Sequence, residues 1–428
     1  FDEACLAEAD QLAESSERLQ HERADATDLE VVSIDDVDTL DIDDALSLEA
    51  VDGARWRLGV HIAAPAAVLR LGGALEGEAR RRVSSLYLPD QTLPMLPEQL
   101  AHGRLALVAG ARRPALSFFF LLDEEGGVAD EAIRPTWIHS RHKLSYSQVD
   151  AWLEAAEVSA PPALAWLGVL DRLLTQQRRR REASVALCLN LPERKLRREA
   201  DGTLRLSTWS ERSRARRLVA EAMVLTNAAA ARWALRERLP IVYRAQDAPN
   251  LEQLQALRAG LPEGLARDLA CMRLLPPTRS SLVASPHRGL GLPAYTQVTS
   301  PIRRYPDLLA HFQLEAQLAG RPPPVAADEL AELLPEIEAQ QAVVREIERE
   351  GQRYWTLRWL EERVKLPLEA EIVAHGERSG AVVVMLLEPM FRATLDHGPR
   401  QLPLGSRIHV VVELADARAG ELRLRWLN

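Results

Sequence analysis

The alternation of apolar and polar positions divides the chain into four stretches. Residues 1–30 carry only widely spaced apolar marks, Leu6, Leu12 and Leu19, and read as a helix and a connector with no fold of their own. From Val31 the pattern changes to short β-type runs at residues 31–34, 45–48, 57–62 and 117–122, separated by Gly, Asp and Pro. From Tyr146 onward it becomes helical. Ser145-Tyr146-Ser147-Gln148 opens one helix, and residues 212–239 form an Ala-, Leu- and Arg-rich stretch of helical period. A long charged helix is expected over residues 326–364, beyond the breaker Arg321-Pro322-Pro323-Pro324. Residues 366–428 return to β character. Leu422, Leu424 and Trp426 alternate with Arg423 and Arg425, the period-two pattern of a half-buried strand. Residues 372–384 and 408–414 supply further strands, with turns at Gly376, Gly380, Gly405 and Gly420. A segment of this length with about five strands suits a small OB-type barrel. With no internal repeat or low-complexity linker, residues 31–365 are expected to form one large α+β unit, followed by an all-β barrel over residues 366–428.

Composition narrows the class without naming a chemistry. The 428 residues are 47% hydrophobic and 27% charged, ordinary for a soluble globular protein. No apolar run approaches the roughly 20 residues needed to span a bilayer. The start is acidic and unlike a secretory signal, and the missing initiator Met reads as a fragment of something longer. Cys5, Cys188 and Cys271 are far apart and form no CxxC pair, so neither a disulfide partner nor a zinc site is expected and a reducing cytoplasm fits. The net charge of −9 argues at first against a polyanionic partner, but its distribution matters more. Lys143, Lys195 and Lys365 are the only lysines among 53 basic residues, and the arginines cluster at residues 178–181, 194–198 and 212–217. Solvated helix faces account for any one such run, while an acidic body with a basic channel would give the same pattern.

The sharpest local feature is Ser33-Ile34-Asp35-Asp36-Val37-Asp38-Thr39-Leu40-Asp41-Ile42-Asp43-Asp44-Ala45-Leu46, with six aspartates in ten positions. Like charges this close repel, and carboxylates near a core are costly unless a cation compensates them. A hard divalent ion does so directly, and Mg²⁺ prefers a few carboxylates plus waters and phosphates. Asp41 and Asp43 share a face if extended, Asp44 comes round at a turn, and Asp35 reaches in from the preceding strand. An EF-hand loop fails, because counting from Asp36 puts Leu40 fifth and Asp41 sixth. A solvated acidic loop is the competing reading, and the interleaved Ile34, Val37, Leu40, Ile42 and Leu46 argue against it.

The second feature is Tyr295-Thr296-Gln297-Val298-Thr299-Ser300-Pro301-Ile302-Arg303-Arg304-Tyr305-Pro306-Asp307-Leu308. Ser300 before Pro301 is an N-cap and first-turn pattern, which predicts Arg303 and Arg304 in the first turn of a helix. Cations there oppose the macrodipole, which makes sense if an anion such as phosphate binds. An exposed arginine pair on a surface helix is the alternative. An acidic metal cluster together with an anion-binding arginine suggests phosphoryl transfer.

These segments resemble the catalytic domain of the ribonuclease II and ribonuclease R (RNB) family. Its acidic signature is matched by Asp35, Asp41, Asp43 and Asp44, and its Thr-Ser-Pro-Ile-Arg-(Arg/Lys)-Tyr signature by residues 299–305. Between and beside them lie Val60-His61-Ile62-Ala63, Tyr87-Leu88-Pro89, Pro94-Met95-Leu96-Pro97, Leu144-Ser145-Tyr146, Glu221-Ala222-Met223 with Asn227, and Tyr243-Arg244. The resemblance spans residues 31–365, and a C-terminal OB-fold also belongs to the family. It implies a 3′-to-5′ exoribonuclease that hydrolyses single-stranded RNA to nucleoside 5′-monophosphates by two-metal-type chemistry, with Mg²⁺ as cofactor, Mn²⁺ as a substitute, and a monomer as working unit. Carried onto this chain, Asp35, Asp41 and Asp44 are the expected metal ligands. Asp43 is the residue most sensitive for chemistry, and Arg303 steadies the scissile phosphate. Tyr87 would stack on the 3′-terminal base, and Tyr146 with Glu221 would sense the ribose 2′-OH. Arg304 and Tyr305 would also meet RNA, and Glu348 corresponds to a late catalytic glutamate or is a plain exposed helix residue.

Several positions depart from the family. Where a second stacking aromatic is expected, the chain has Cys188, which cannot stack. His61-Ile62-Ala63-Ala64-Pro65 stands in place of His-Ile-Ala-Asp-Val, which makes His61 a structural residue, and Gln246 replaces a usual His. Residues 1–30 leave no room for paired N-terminal cold-shock barrels. Two other readings stay open: a catalytically silent RNA-binding scaffold, and a metal phosphohydrolase acting on small phosphate esters.

Overall fold

The computed structural model describes residues 1–14, 22–53, 55–154, 160–183, 193–199, 201–209, 213–376, 381–396 and 402–427. A six-stranded sheet lies at its centre. Its strands are β1 (Ala24–Asp25), β2 (Val31–Asp35), β3 (Asp44–Asp52), β4 (Arg55–Ala63) and, after the small hairpin β5 (Leu86–Tyr87) and β6 (Thr92–Leu93), β7 (Arg112–Leu122) and β8 (Val128–Ser145). The order is β1-β8-β2-β3-β4-β7. The first half of β8 pairs with β7 and its second half with β2, which ties two edges of the sheet together. The four expected β runs fall inside β2, β3, β4 and β7. The long β8 was not legible, because charged residues and Pro135 dilute its period of two; Thr136, Ile138 and Ser140 are nonetheless buried alternately.

The central strands β2, β3, β4 and β7 bury residues on both faces, one against each of two cores. Val32, Ile34, Leu46, Leu58, Val60, Phe118 and Phe120 face one core with α3 (Tyr146–Glu154), α4 (Trp166–Glu182) and α5 (Arg214–Glu237). Full burial of each such side chain contributes about 1.5–3 kcal/mol. Val31, Ala45, Ala63 and Ala115 face the other, with α1 (Glu3–Glu14) and α2 (Ala74–Arg82). On this second face a polar ladder crosses the strands. His61 Nε2 meets Ser47 Oγ at 3.0 Å, His61 Nδ1 meets Ser117 Oγ at 2.7 Å, and Ser117 Oγ meets Thr136 Oγ1 at 2.6 Å. Gly59 leaves room for it, since a Cβ there would lie 2.4 Å from Ser47 Oγ. Fully buried and pushed down to about 3 by that burial, His61 is structural.

The N-terminal residues, given no fold of their own by their pattern, join this unit through residues 1–14 and 22–30. Cys5 and Ala9 of α1 are buried, and Glu8 accepts the Leu75 N–H at the start of α2 at 3.0 Å. Arg23 forms a buried pair with Glu315 at 2.5 Å. Cys5 and Cys271 are free and buried, while Cys188 lies outside the described residues.

The hairpin β9 (Glu193–Arg198) and β10 (Leu204–Trp209) precedes α5, and β11 (Tyr243–Ala245) pairs with β12 (Arg279–Ser281) after it. The helices α6 (Leu251–Gly260), α7 (Leu265–Met272), α8 (Tyr305–Leu318) and α9 (Ala327–Glu361) follow. At 35 residues, α9 spans about 50 Å. It buries Leu330 and Ile337 in the second core and Leu357 and Leu360 in a third. That third core belongs to the C-terminal sheet of β13 (Pro367–His375), β14 (Val382–Leu386), β15 (Phe391–Leu395), β16 (Arg407–Asp416) and β17 (Glu421–Leu427), in the order β15-β14-β13-β16-β17. Its edge strands β15 and β17 approach each other, curling the sheet toward the expected barrel. Among the described residues no helix is long and apolar enough to cross a membrane.

Candidate active site

The acidic segment is the connection from β2 to β3, which pair through Val32 and Leu46. Asp35 ends β2 and Asp44 begins β3, so strand pairing alone brings these two carboxylates together. The loop between them is held from several sides. Asp35 Oδ1 accepts the Asp36 N–H at 2.7 Å and the Thr39 hydroxyl at 2.9 Å. Lys143 Nζ on β8 donates to the Val37 and Thr39 carbonyls at 2.8 and 2.6 Å. Asp36 is paired with Arg216 of α5 and Asp38 with Arg197 of β9. The loop tip faces solvent, with Val37 75% and Leu40 55% exposed, contrary to the expectation that its apolar residues turn inward. Only Ile34, Ile42 and Leu46 are buried, because the tip projects beyond the sheet.

Asp43 is 3% exposed. Its Oδ1 accepts the Ile302 N–H at 2.9 Å and its Oδ2 accepts Arg303 Nε at 3.2 Å. Burial pushes it up to about 8, against the pull of Arg303 and the Ile302 N–H, and Asp41 and Asp44 push further. Burial and the neighbouring Asp35 push Asp44 up to about 7, and Asp35 is also raised by burial. Carboxylates that resist ionisation for want of counter-charge form a site in need of a cation.

The arginine segment is a turn, not a helix start. Ser300 does not cap a helix: the N–H groups of Arg303 and Arg304 bond back to its carbonyl at 3.3 and 2.9 Å, and α8 begins only at Tyr305 with Pro306 in its first turn. Long-range bonds explain the shift. Ser84 and Ser85 bond the Arg303 carbonyl, and Val83 accepts the Tyr305 N–H at 2.9 Å. Asn227 of α5 accepts the Val298 N–H at 2.8 Å, and His311 of α8 bonds the Val298 carbonyl at 2.7 Å. Arg303 therefore sits ahead of the helix dipole, and its position comes from this scaffold of buried side chains.

The same Val83–Ser85 segment leads into the β5–β6 hairpin, which delivers Tyr87. Its hydroxyl donates to Asp41 and its N–H reaches Glu348 Oε1 of α9 at 3.4 Å. Gly351 lets the hairpin approach α9, since a Cβ there would lie 2.6 Å from Leu88. Tyr146 lies within electrostatic reach of Asp35 and Asp44, and the Arg216 guanidinium stacks 4.1 Å above its ring. Asp35, Asp41, Asp43, Asp44, Tyr87, Tyr146, Arg303 and Glu348 are thus brought to one region.

Three expected residues are placed elsewhere. Tyr305 is 1% exposed with its hydroxyl on Glu76 at 2.5 Å, so it is a core residue and not an RNA contact. Arg304 is turned to Asp307 at 2.6 Å. Glu221 pairs with Arg181 at 2.7 Å and lines a cavity of about 620 Å³ between α4, α5 and the start of β8. Residues passed over by sequence reasoning are Lys143, Asp307 and His311, and Ser300 was read only as a helix N-cap. Lys143 carried a signal as one of three lysines, and Asp307 stood inside the quoted arginine segment.

Among the described residues no three carboxylate, histidine or cysteine side chains are grouped closely enough for an all-protein metal cage. Mg²⁺ does not require one, since it binds through one or two carboxylates, waters and substrate phosphates. The all-oxygen donors Asp35 and Asp44, side by side and short of counter-charge, suit such a hard ion.

Residues 23–320 match the RNB domain, and residues 368–426 match the RNase II-type exonuclease C-terminal S1 domain. The chain is 34% identical over 406 residues to an uncharacterised ribonuclease of Synechocystis, covering 95% of this chain and 60% of the relative. It is 30% identical over 412 residues to ribonuclease II, chloroplastic/mitochondrial, of Arabidopsis thaliana, covering 95% and 51%. It therefore spans only about half to three-fifths of these relatives' length. In fold it is similar to Mycoplasma genitalium RNase R in complex with ribose-methylated single-stranded RNA, with a TM-score of 0.86 at 20% identity, covering 100% of this chain and 75% of that one. A weaker likeness of fold, with a TM-score of 0.70 at 17% identity over 93% of this chain and 54% of the other, is to yeast Ssd1, a pseudonuclease. With an RNB match over most of its length and a C-terminal S1 domain behind it, the chain belongs to the RNB family, whose members include ribonucleases II and R.

Proposed function

We propose that the chain is the catalytic portion of a divalent-metal-dependent exoribonuclease that hydrolyses single-stranded RNA from its 3′ end and releases nucleoside 5′-monophosphates. The observation that carries this reading is the buried Asp43 joined to Arg303 beside Asp35, Asp41 and Asp44. Asp35 and Asp44 would hold the metal, taken as Mg²⁺ with Mn²⁺ able to substitute, and Asp41 would join them when substrate is bound. When bound, the metal supplies charge neutralisation at the phosphate and a more acidic water. Asp43, kept ionised once a bound cation supplies counter-charge, would order the attacking water and accept its proton. Arg303 donates Nε to Asp43 and Nη2 to Ser300, and among the described residues its Nη1 makes no hydrogen bond. In this reading that nitrogen would meet a phosphate oxygen as negative charge builds. Attack on phosphorus breaks the bond to the 3′ oxygen of the preceding nucleotide, which leaves with a proton as the new terminus. Tyr87, 39% exposed, offers its ring to the terminal base, and Tyr146 is the better placed ribose sensor. Glu221 joins Tyr146 in this reading only if its bond to Arg181 opens.

The test is digestion of a 5′-labelled single-stranded RNA with Mg²⁺, with EDTA, and against a matched DNA strand. A metal-dependent ladder shrinking from the 3′ end, with DNA spared, supports the reading. Tight binding without shortening in any metal would replace it with a silent RNA-binding scaffold.

A further inference from the structure

The adjacent Arg303 and Arg304 have opposite environments, and one carboxylate accounts for the difference. Asp307, fully buried in the first turn of α8, accepts the Ser300 N–H at 3.0 Å and Arg304 Nη2 at 2.6 Å through the same Oδ2. The Ser300 hydroxyl accepts Arg303 Nη2 at 2.9 Å, and Arg303 Nε reaches Asp43 at 3.2 Å. A hydrogen-bonded chain thus runs from the interior to the site: Asp307, Ser300, Arg303, Asp43. The other oxygen of Asp307, Oδ1, is buried and makes no hydrogen bond among the described residues. A buried carboxylate with an unmet oxygen is costly, and packing alone does not explain its presence.

We propose that Asp307 is a positioning residue for the reaction, holding Arg304 inward and setting Ser300 so that Arg303 alone presents its guanidinium to the scissile phosphate. The inference rests on the exonuclease reading above. Two neighbouring guanidinium groups compete for the same anions, Asp43 among them, unless one is neutralised elsewhere. Asp307 removes Arg304 from that competition. By fixing the Ser300 backbone it also fixes the hydroxyl that grips the far end of Arg303. A long side chain held at both Nε and Nη2 is organised before substrate arrives, which is where electrostatic catalysis gains most. Arg303 remains 42% exposed at its side chain against 27% for Arg304, consistent with one facing the site and the other the protein.

The experiment compares Asp307→Asn, Ser300→Ala and Ser300→Thr in the full chain. Three quantities are read: single-turnover shortening of a 5′-labelled oligoadenylate with Mg²⁺, affinity for the same RNA in EDTA, and NMR hydrogen exchange at the Arg303 Nε–H. Asp307→Asn and Ser300→Ala should slow cleavage about ten- to a hundredfold, with affinity within about twofold of wild type. Ser300→Thr, which keeps the hydroxyl, should restore the rate, and Nε–H exchange should be faster in Asp307→Asn and Ser300→Ala. If Asp307→Asn does not fold, the Ser300 pair carries the test. Wild-type cleavage and exchange in Ser300→Ala, or equal losses in Ser300→Ala and Ser300→Thr, would overturn the proposal. So would loss of rate and affinity together. A wild-type chain that never shortens RNA overturns the exonuclease reading instead, and Nε–H exchange still decides the positioning role.

Discussion

Asp43 and Arg303 are 260 positions apart in sequence and 3.2 Å apart in space, with Arg303 Nε donating to Asp43 Oδ2. Because the Ile302 N–H bonds the same carboxylate, the arginine turn is docked directly on the entrance to β3. Asp43→Asn should cut single-turnover cleavage at least about a hundredfold while RNA affinity changes little. Loss of affinity together with turnover, measured by fluorescence anisotropy in EDTA, would make the carboxylate structural.

Tyr87 has two separable functions in the proposed site. Its hydroxyl contacts Asp41 and its ring is open to a base. Tyr87→Phe should alter cleavage rate with affinity kept, whereas Tyr87→Ala should also weaken RNA binding by about 1–3 kcal/mol, the worth of one stacked base. Equal affinity for the Ala variant and wild type would remove the stacking role.

Tyr146 and Glu221 make a graded test of ribose sensing. Tyr146 lies near Asp35 and Asp44, while Glu221 is held by Arg181. Tyr146→Ala should narrow the preference for RNA over DNA more than Glu221→Ala does. An RNA-to-DNA rate ratio unchanged in both variants would end the assignment.

The buried pair Arg23–Glu315 ties the N-terminal residues to α8, with side chains 0% and 3% exposed. Removing one member leaves an uncompensated buried charge, so Glu315→Ala should cost about 3–5 kcal/mol in urea unfolding. A change below about 1 kcal/mol, the usual worth of a surface pair, would show that water reaches the site.

Acid should destabilise the chain through its buried histidines. Burial pushes His61 down to about 3 and His311 down to about 4, from an ordinary 6.5. Since the folded values are depressed, the unfolded chain binds the extra protons. The stabilisation is complete above about pH 6.5 and falls by up to about 1.4 kcal/mol per pH unit per histidine below it. Asp43 and Asp44, raised in the folded chain, act in the opposite sense as pH rises from about 4 toward 8. The readout is therefore the difference between wild type and His61→Gln: the variant should show a shallower fall in Tm from pH 6.5 to 4.5. Parallel curves would mean that His61 is protonated in place.

Much of the site's membership was visible in the residues themselves. Six crowded aspartates call for cations wherever they fold, and the strand pattern placed Asp35 at a strand end, while Asp44, expected at a turn, opens β3. Which aspartates serve the site was not visible. Asp36 and Asp38 are paired with Arg216 and Arg197, which α5 and β9 bring to them, whereas Asp43 meets Arg303 of the arginine turn and Asp41 the Tyr87 hydroxyl. Tyr305, expected from the resemblance to meet RNA, is for a related reason a core residue: Glu76, far away in sequence, claims its hydroxyl.

Local structure was legible in the residues alone: strands of period two on both sides of the acidic loop, the long helices, the C-terminal β unit and the chemical kinds of the site residues. These follow from forces acting over a few neighbouring positions, namely backbone propensity, side-chain alternation and like-charge repulsion. Three features depend instead on long-range packing: residues 301–304 form a turn rather than a helix start, the N-terminal helix belongs to the central unit, and Arg303 rather than Arg304 faces Asp43. Each of those outcomes depends on a bond to a partner brought in by folding: Asn227 to Val298, Glu8 to Leu75, and the Ile302 N–H and Arg303 to Asp43. A hydrogen bond is worth about 1 kcal/mol locally. That is comparable to an N-cap preference, so several long-range bonds together override what the local pattern prefers.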